Sequence, residues 1–417
     1  MSEGEPMTVS CDESTAVRDT AAVPVRWPGT ARGGGRDEAT RAMADVLFAS
    51  FARSDQRRKG EQYLRGMLST PGRKSIRNIA AHVGGAATEQ SLHHFISSST
   101  WDWRPVRQAL AGYLTRIEPP QAWVVHPMPI PKAGDRSVGV DQGFDPCLGA
   151  FRGQRAFGVW YGSRTLNSPV NWRLFLSGSW VQDPLRRRQA EIPEGTREET
   201  LEECAATAAL DVLGSWDVPS RPVVLNTHIA HAAATMGRFT EAGIPVIARI
   251  GATARLTVHD PALPGRGGAP LPAGLIATAA MRLRRGVEWA DEPGAYRESR
   301  GTLTAAVRVG AESGGADPYR GELSLLGEWD GAGHSPQALW VTNMTSAPAP
   351  ALLRLTRLGG RACRDLAAAG EDVGLKDFEG RSFNGWHRHI TLASAAHAVA
   401  ALSGPRSAAD GHGPRSA

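Results

Sequence analysis

The stretch RPVVLNTHIAHAAATMGRFTEAGIPVIARI (Arg221–Ile250) decides the fold. It opens on Pro222-Val-Val-Leu225, a short apolar run of the kind found where a strand is buried on both faces, and it closes on a second such run, Pro245-Val-Ile-Ala-Arg-Ile250. Between them Ala230–Ala242 reads as a helix. Working outward, Glu198–Leu213 is expected to be helical, with Leu201, Cys204, Ala205, Ala208 and Val212 along one side. Upstream, four segments read as strands at hairpin-like intervals: Ala122–His126, Ser137–Asp141, Phe157–Tyr161 and Trp172–Leu176. Several strands followed by helix, strand, helix and strand is the order of a mixed α/β sheet.

On the N-terminal side, residues 39–118 are helical in pattern. Met43, Val46, Leu47 and Phe51 form one apolar stripe, Tyr63, Leu64, Met67 and Leu68 a second, and Ile76, Ile79, Ala80 and Val83 a third that stops at Gly84-Gly85. Residues 119–252 form the first part of the sheet core. Residues 253–336 are interrupted by Gly and Pro, with strand-like pieces at Leu303–Val309 and Glu322–Trp329, and are read as a β-rich insertion outside the central sheet. Residues 337–402 complete the core with a strand at Ala338–Asn343 and helices near Pro348–Ala369 and Asn384–Leu402. Residues 1–38 lack apolar periodicity and are read as a disordered leader, and 403–417 as a flexible Gly/Pro/Ser tail.

At 417 residues the chain suits two or three packed units, and 41% apolar with 21% charged residues is an ordinary globular balance. No run of about 18 apolar residues occurs, which argues against a membrane-spanning helix. The N-terminus has no basic region followed by an apolar stretch, which argues against a signal peptide. Cys11, Cys147, Cys204 and Cys363 are far apart with no CxxC pair, so reduced thiols and a cytoplasmic setting are expected. The formal charge is +5, and 43 of the 47 basic residues are arginine. Between Ala39 and Pro120 twelve Lys or Arg face six Asp or Glu, an excess above that of the whole chain. Arg57, Arg58, Lys59, Arg65, Arg73, Lys74 and Arg77 fall near expected helix ends and turns, where phosphate contacts are geometrically easy. This composition fits an anionic partner and equally an ordinary solvated helical surface.

Several ordered blocks resemble the bacterial insertion-sequence transposases of the DDE endonuclease group. They are QYLRGMLS (Gln62–Ser69), GRKS (Gly72–Ser75), Thr100-Trp101-Asp102 with Val106-Arg107, PKAG (Pro131–Gly134), SVGV (Ser137–Val140), WRLFLSGSW (Trp172–Trp180), DPLRRR (Asp183–Arg188) and GLKDFEGRSFNGWHRHITL (Gly374–Leu392). The resemblance implies an α/β, RNase H-like mixed sheet core preceded by a helical DNA-binding segment, with the β-rich insertion between the second and third catalytic acids. It implies double-stranded DNA as partner and assembly as a dimer. It also implies DNA contacts from Arg186, Arg187 and Arg188, and from Arg381 and His387 around the late Gly-Trp-His segment.

Cleavage in this group uses three carboxylates around two divalent ions. Carried over by local motif, those positions are His126 at the end of Trp123-Val-Val, Asn226 at the end of Val223-Val-Leu, and Cys363, with Asp365 matching a later Asp. All three expected acids are therefore replaced by neutral side chains. Mg2+ is the cofactor of the group, and none is expected here. The leading expectation is a transposase-like DNA-binding protein with a degenerate nuclease site. A second is a Cys-His-Asn hydrolase or acyltransferase, with Cys363 as nucleophile, His126 as base and Asn226 orienting the imidazole. A third is an active nuclease with displaced acids. His228 and His231 form an HxxH at an expected helix start, a weak zinc signal.

Overall fold

The computed structural model describes residues 34–146, 148–263, 268–287, 302–311, 319, 321–331 and 333–403. Cys11, Cys147 and most of the expected leader and tail lie outside them. The chain opens with α1 (Gly34–Leu47), α2 (Ser54–Ser69), α3 (Ile76–Val83), α4 (Ala86–His93), which runs into a π-helical turn, and α5 (Trp103–Ile117). Next come β1 (Ala122–Pro131), β2 (Asp141–Asp145), β3 (Gly149–Gly162), β4 (Asn167–Leu174), α6 (Gly178–Val181), α7 (Pro184–Gln189), α8 (Leu201–Ser215), β5 (Val223–Ile229), α9 (Ala232–Glu241) and β6 (Val246–Ile250). The remainder is β7 (Arg255–Val258), β8 (Leu271–Pro272), α10 (Ala273–Ala279), β9 (Arg285–Val287), β10 (Thr302–Ala311), β11 (Leu323–Asp330), β12 (Ala338–Thr342), α11 (Ala349–Asp372) and α12 (Phe383–Ser403). No described helix is long and apolar enough to cross a membrane.

The strands run β4-β3-β1-β5-β6 through the middle of the molecule. β3 is antiparallel to both β4 and β1, whereas β1, β5 and β6 are mutually parallel. The parallel strands are joined by the α9 crossover, and α8 brings the chain from β4 to β5. This is the RNase H-like mixed sheet. α8 and α11 both pack on β1 and β5, whose Trp123, Val124, Val125, Val223, Val224 and Leu225 are fully buried. That explains the continuous apolar runs. α8 starts where it does because Thr200 and Glu203 form a reciprocal capping box.

Three expectations need correction. The described strands within 253–336 are part of the central sheet: β12 pairs antiparallel with β6 (Leu339↔Ile250 to Thr342↔Ile247), β11 pairs with β12, and β10 with β11. Together they extend one sheet of twelve strands and cover the edge that β6 would otherwise expose. Ser137–Val140 is a turn; Gly139 has φ +75°, and the buried Val138 and Val140 anchor the turn inward. Helix α1 begins at Gly34, inside the expected leader.

The helices before β1 wrap around α12. Every residue of α12 from Gly385 to Val399 is buried, so its polar side chains must find partners inside the protein. Arg107 of α5 is their hub. Its Nε donates to Thr391 Oγ1 (2.7 Å), one Nη to Asn171 Oδ1 (2.9 Å) and the Trp172 carbonyl (2.8 Å), and the other to His387 Nδ1 (3.0 Å) and its carbonyl (3.2 Å). No carboxylate joins this set, and burial, with Arg104 nearby, pushes the guanidinium down to about 9. Around it Tyr63 donates to His389 Nδ1 (2.9 Å), whose Nε2 donates to the Gly374 carbonyl (2.8 Å). Asp102 caps α5 through the Arg104 amide, and the Trp101 carbonyl accepts from Arg388. Replacing Arg107 with methionine strands several buried acceptors at once. Urea unfolding should show a loss of about 3 kcal/mol or more; an unchanged midpoint would remove Arg107 as the hub.

Candidate functional site

The parallel register sets the two candidate side chains side by side. Val124 and Val125 of β1 pair with Val224 and Leu225 of β5, and the next residue on each strand is His126 or Asn226. The β5–β6 register shifts between Leu225 and His228, which frees the Asn226 backbone from the ladder. The Asn226 side chain turns to α11. Its Nδ2 lies 3.0 Å from the Gly359 carbonyl and 3.0 Å from His126 Nδ1.

These contacts fix protons as well as positions. The Gly359 carbonyl can only accept, so the Asn226 atom facing it is the amide nitrogen. That nitrogen has two hydrogens, one for each partner, and His126 Nδ1 must therefore be an acceptor. The imidazole is neutral with its hydrogen on Nε2. Burial pushes His126 down to about 4, against smaller upward pulls from the Asn226 backbone and the Asp145 carboxylate. Glycine at 359 is a requirement of the approach: a Cβ there would stand 3.0 Å from Asn226 Cγ and 3.1 Å from its Oδ1.

The third position joins the neighbourhood without joining the bonds. Cys363 is on α11, one turn after Gly359, and its side chain is exposed. Among the described residues it makes no hydrogen bond with His126 or Asn226. Asp365 accepts from Asn167 Nδ2 at 2.6 Å and faces Arg361 at 4.0 Å, so it is already used.

The resemblance implies a two-metal site with three carboxylates. Mg2+ takes oxygen ligands. Here an imidazole nitrogen and an amide nitrogen face each other, and the third group is a thiol. Among the described residues no group of three or more His, Cys, Asp or Glu is placed to hold a metal ion. The residues do not fit such a site. The HxxH pair is also separated: His228 is exposed on β5, and His231, just before α9, lies 3.4 Å from Glu202.

The basic residues divide by burial. Arg57, Arg58 and Arg65 of α2, Arg73 before α3, and Arg77 on it are exposed, as are Arg186 and Arg188 on α7 and Arg381. Arg65 pairs with Glu61 at 2.7 Å and Arg73 with Glu379 at 3.1 Å. Lys59 is half-buried beside Asp55, and Arg187 donates to the Pro193 and Glu194 carbonyls. Two residues expected to face DNA do not. Lys74 is buried, its ammonium bonded to the Thr70 carbonyl and its backbone amide to Asp377. His387 is buried and stacked on Trp103 at 4.7 Å between centroids. Both tie the helices before β1 to the late segment. A basic residue beside helix-breaking Gly72 looked like a surface turn; only the tertiary packing of Gly374 against the Lys74 stem reveals otherwise.

The family model of the DDE superfamily endonucleases matches residues 46–298. The chain belongs to that family. The matched span holds His126 and Asn226 and ends before Cys363. No curated protein matches the chain significantly. Among solved structures it is similar to a piggyBac transposase in a synaptic complex with hairpin DNA, at 7% identity and a TM-score of 0.37, over 87% of this chain and 70% of that one.

The neutral interlock predicts a specific acid sensitivity. His126 titrates near 6.5 when unfolded and near 4 when folded, so its contribution is fully present above pH 6.5 and is lost as pH falls through 4. Comparing pH 7 with pH 4, His126→Gln should remove about 3 kcal/mol of the pH dependence of unfolding, because its amide oxygen still accepts from Asn226 without titrating. Gly359→Ala should destabilise by about 1–3 kcal/mol through overpacking; a neutral result in thermal unfolding would mean α11 is free to move away.

Proposed function

We propose that this chain is a transposase-like protein that binds double-stranded DNA and does not cleave it by the two-metal route of its family. The carrying observation is the Asn226 amide, which donates to His126 and to the Gly359 carbonyl at the place where the family has acids for metal. A neutral, mutually satisfied pair has no negative charge with which to hold dications. Family membership and the exposed arginines of α2 and α3 support the DNA partner. Arg58 and Arg77 make no side-chain hydrogen bond or ion pair among the described residues, so their donors are available for phosphate. Lys59, Arg186, Arg187, Arg188 and Arg381 are assigned secondary contacts in this reading, and a homodimer on DNA belongs to it as well.

The geometry speaks against the Cys-His-Asn alternative. A histidine base needs a lone pair facing the thiol, but Nδ1 is occupied by Asn226 and Nε2 carries the hydrogen. Displaced acids fare no better, since Asp365 is engaged by Asn167.

Fluorescence anisotropy with a duplex tests the reading. For roughly five neutralised phosphates, affinity should fall roughly 10^2–10^3-fold between 50 and 200 mM salt. Arg58→Gln with Arg77→Gln should weaken binding and reduce the salt slope by about two. No nicking should occur with Mg2+ or Mn2+, while the combined His126→Asp, Asn226→Asp and Cys363→Glu variant provides the positive comparison. Salt-independent binding, or nicking by the natural chain, overturns the proposal.

A further inference from the structure

At the carboxyl-terminal ends of β5 and β6, two residues along β5 from Asn226, His228 opens onto a cleft of about 460 Å3. Arg249, His228, Thr278, Ser335 and Gln337 supply its polar lining, and among the described residues no Asp or Glu contributes to it. Arg249 is half-buried on β6, and its side chain makes no hydrogen bond or ion pair among the described residues. Its Nε is wholly enclosed and has no acceptor. The indole nitrogen of Trp340, its cross-strand neighbour, is likewise enclosed without one. A buried donor without an acceptor is costly, and a guanidinium beside another such donor is more so. The cleft therefore carries the Arg249 positive charge, whose guanidinium is left without an intramolecular acceptor among the described residues.

The sheet register places this charge under α11 with the candidate site. Arg249 pairs with Trp340, and Trp340 with Leu326. Two residues along, Glu328 shares that face and accepts from Thr356 of α11 at 2.8 Å. Asn226 bonds to the same helix. His228 is paired across from Arg249 on the neighbouring strand; although its side chain is exposed, partial desolvation and the Arg249 guanidinium hold it below the usual imidazole range.

We propose that the cleft is a phosphate-ester site, in which Arg249 supplies the charge and Ser335, Gln337 and Thr278 supply neutral hydrogen bonds. The proposal rests on the DNA-binding reading for its natural ligand, a backbone phosphate of the duplex. A mononucleotide has the same chemistry, and the experiment separates the two. In the family a phosphate is met by dications held on acids; here an arginine one strand away meets it beside a neutral pair. An Arg fork suits this role because it is always charged and binds two phosphate oxygens at once.

The test uses the full chain in thermal unfolding, with inorganic phosphate or adenosine monophosphate against chloride at equal ionic strength, and duplex binding in parallel. Both phosphates should raise the wild-type melting temperature. Arg249→Gln should abolish that shift and lower the duplex salt slope by about one, while Arg249→Lys should keep part of each. Without ligand, Arg249→Gln should melt no lower than wild type, because no intramolecular bond is lost. Should that variant fold poorly, phosphate protection of Arg249 from phenylglyoxal, read by mass spectrometry on the wild type, decides instead. No phosphate shift or protection, with duplex binding unaffected by either substitution, overturns the site and leaves the DNA-binding reading intact. A phosphate shift lost in Arg249→Gln, without any duplex binding, keeps the site for free nucleotides and removes the DNA-binding reading.

Discussion

The Asn226 amide is the interaction on which the centre of this molecule depends. Two strands of a parallel pair and a helix laid over them meet at one nitrogen, whose two hydrogens are divided between the His126 imidazole and the Gly359 carbonyl. A carboxylate in that position could donate to neither. Two carboxylates on adjacent strands would repel each other unless a cation lay between them. The neutral pair removes that repulsion and substitutes a direct bond, so the sheet and α11 close on each other without an ion. Gly359 belongs to the same solution, since any side chain there would lift the helix away from the amide.

The segments that resemble the family are mostly structural in this chain. Asp102 caps α5 and Arg107 is a buried hub, with Arg388 on α12 bonding Trp101, His387 bonding Arg107 and His389 bonding Tyr63. The late Gly-Leu-Lys-Asp segment packs Gly374 against the Lys74 stem and bonds Asp377 to the Lys74 amide. These residues join the helices before β1 to the sheet, and their chemistry is independent of what stands at positions 126, 226 and 363. A scaffold of this kind persists while its site changes, which is why family membership alone does not specify an activity.

The core was legible where burial is symmetric. Val223-Val224-Leu225 and Val246-Ile247-Ala248 are apolar on both faces and read as buried strands, and the one-sided apolar pattern of Glu198–Leu213 reads as a helix; their parallel pairing appears only in the register of the sheet. What escaped depends on distant partners. Residues 253–336 seemed detached because nothing local shows that β12 will pair with β6, nearly a hundred residues earlier. Ser137–Val140 alternates like a strand but turns at Gly139. His387 and Lys74 carry charge-bearing side chains that normally face water, and their burial depends on the Arg107 donor contributed by α5 and on the Thr70 carbonyl in the loop before α3. At the candidate site, motif spacing led to His126 and Asn226, but not to the direction of the bond between them. That direction follows from a third group, the Gly359 carbonyl, which the local motifs around positions 126 and 226 do not mention.

Electrostatics at the carboxyl ends of β1, β5 and β6 follow from this arrangement. With His126 neutral and Asn226 uncharged, the Arg249 guanidinium is a fixed positive charge near these strand ends, and among the described residues no acid lines its cleft. Partial burial lowers the effective dielectric, so such a charge acts over a longer range than one on the open surface. In the proposed reading, carboxylates at these strand ends would turn an approaching phosphate away until metal had bound, whereas a neutral pair near the Arg249 guanidinium attracts it directly. The proposed phosphate site and the proposed absence of cleavage thus rest on one arrangement of charge.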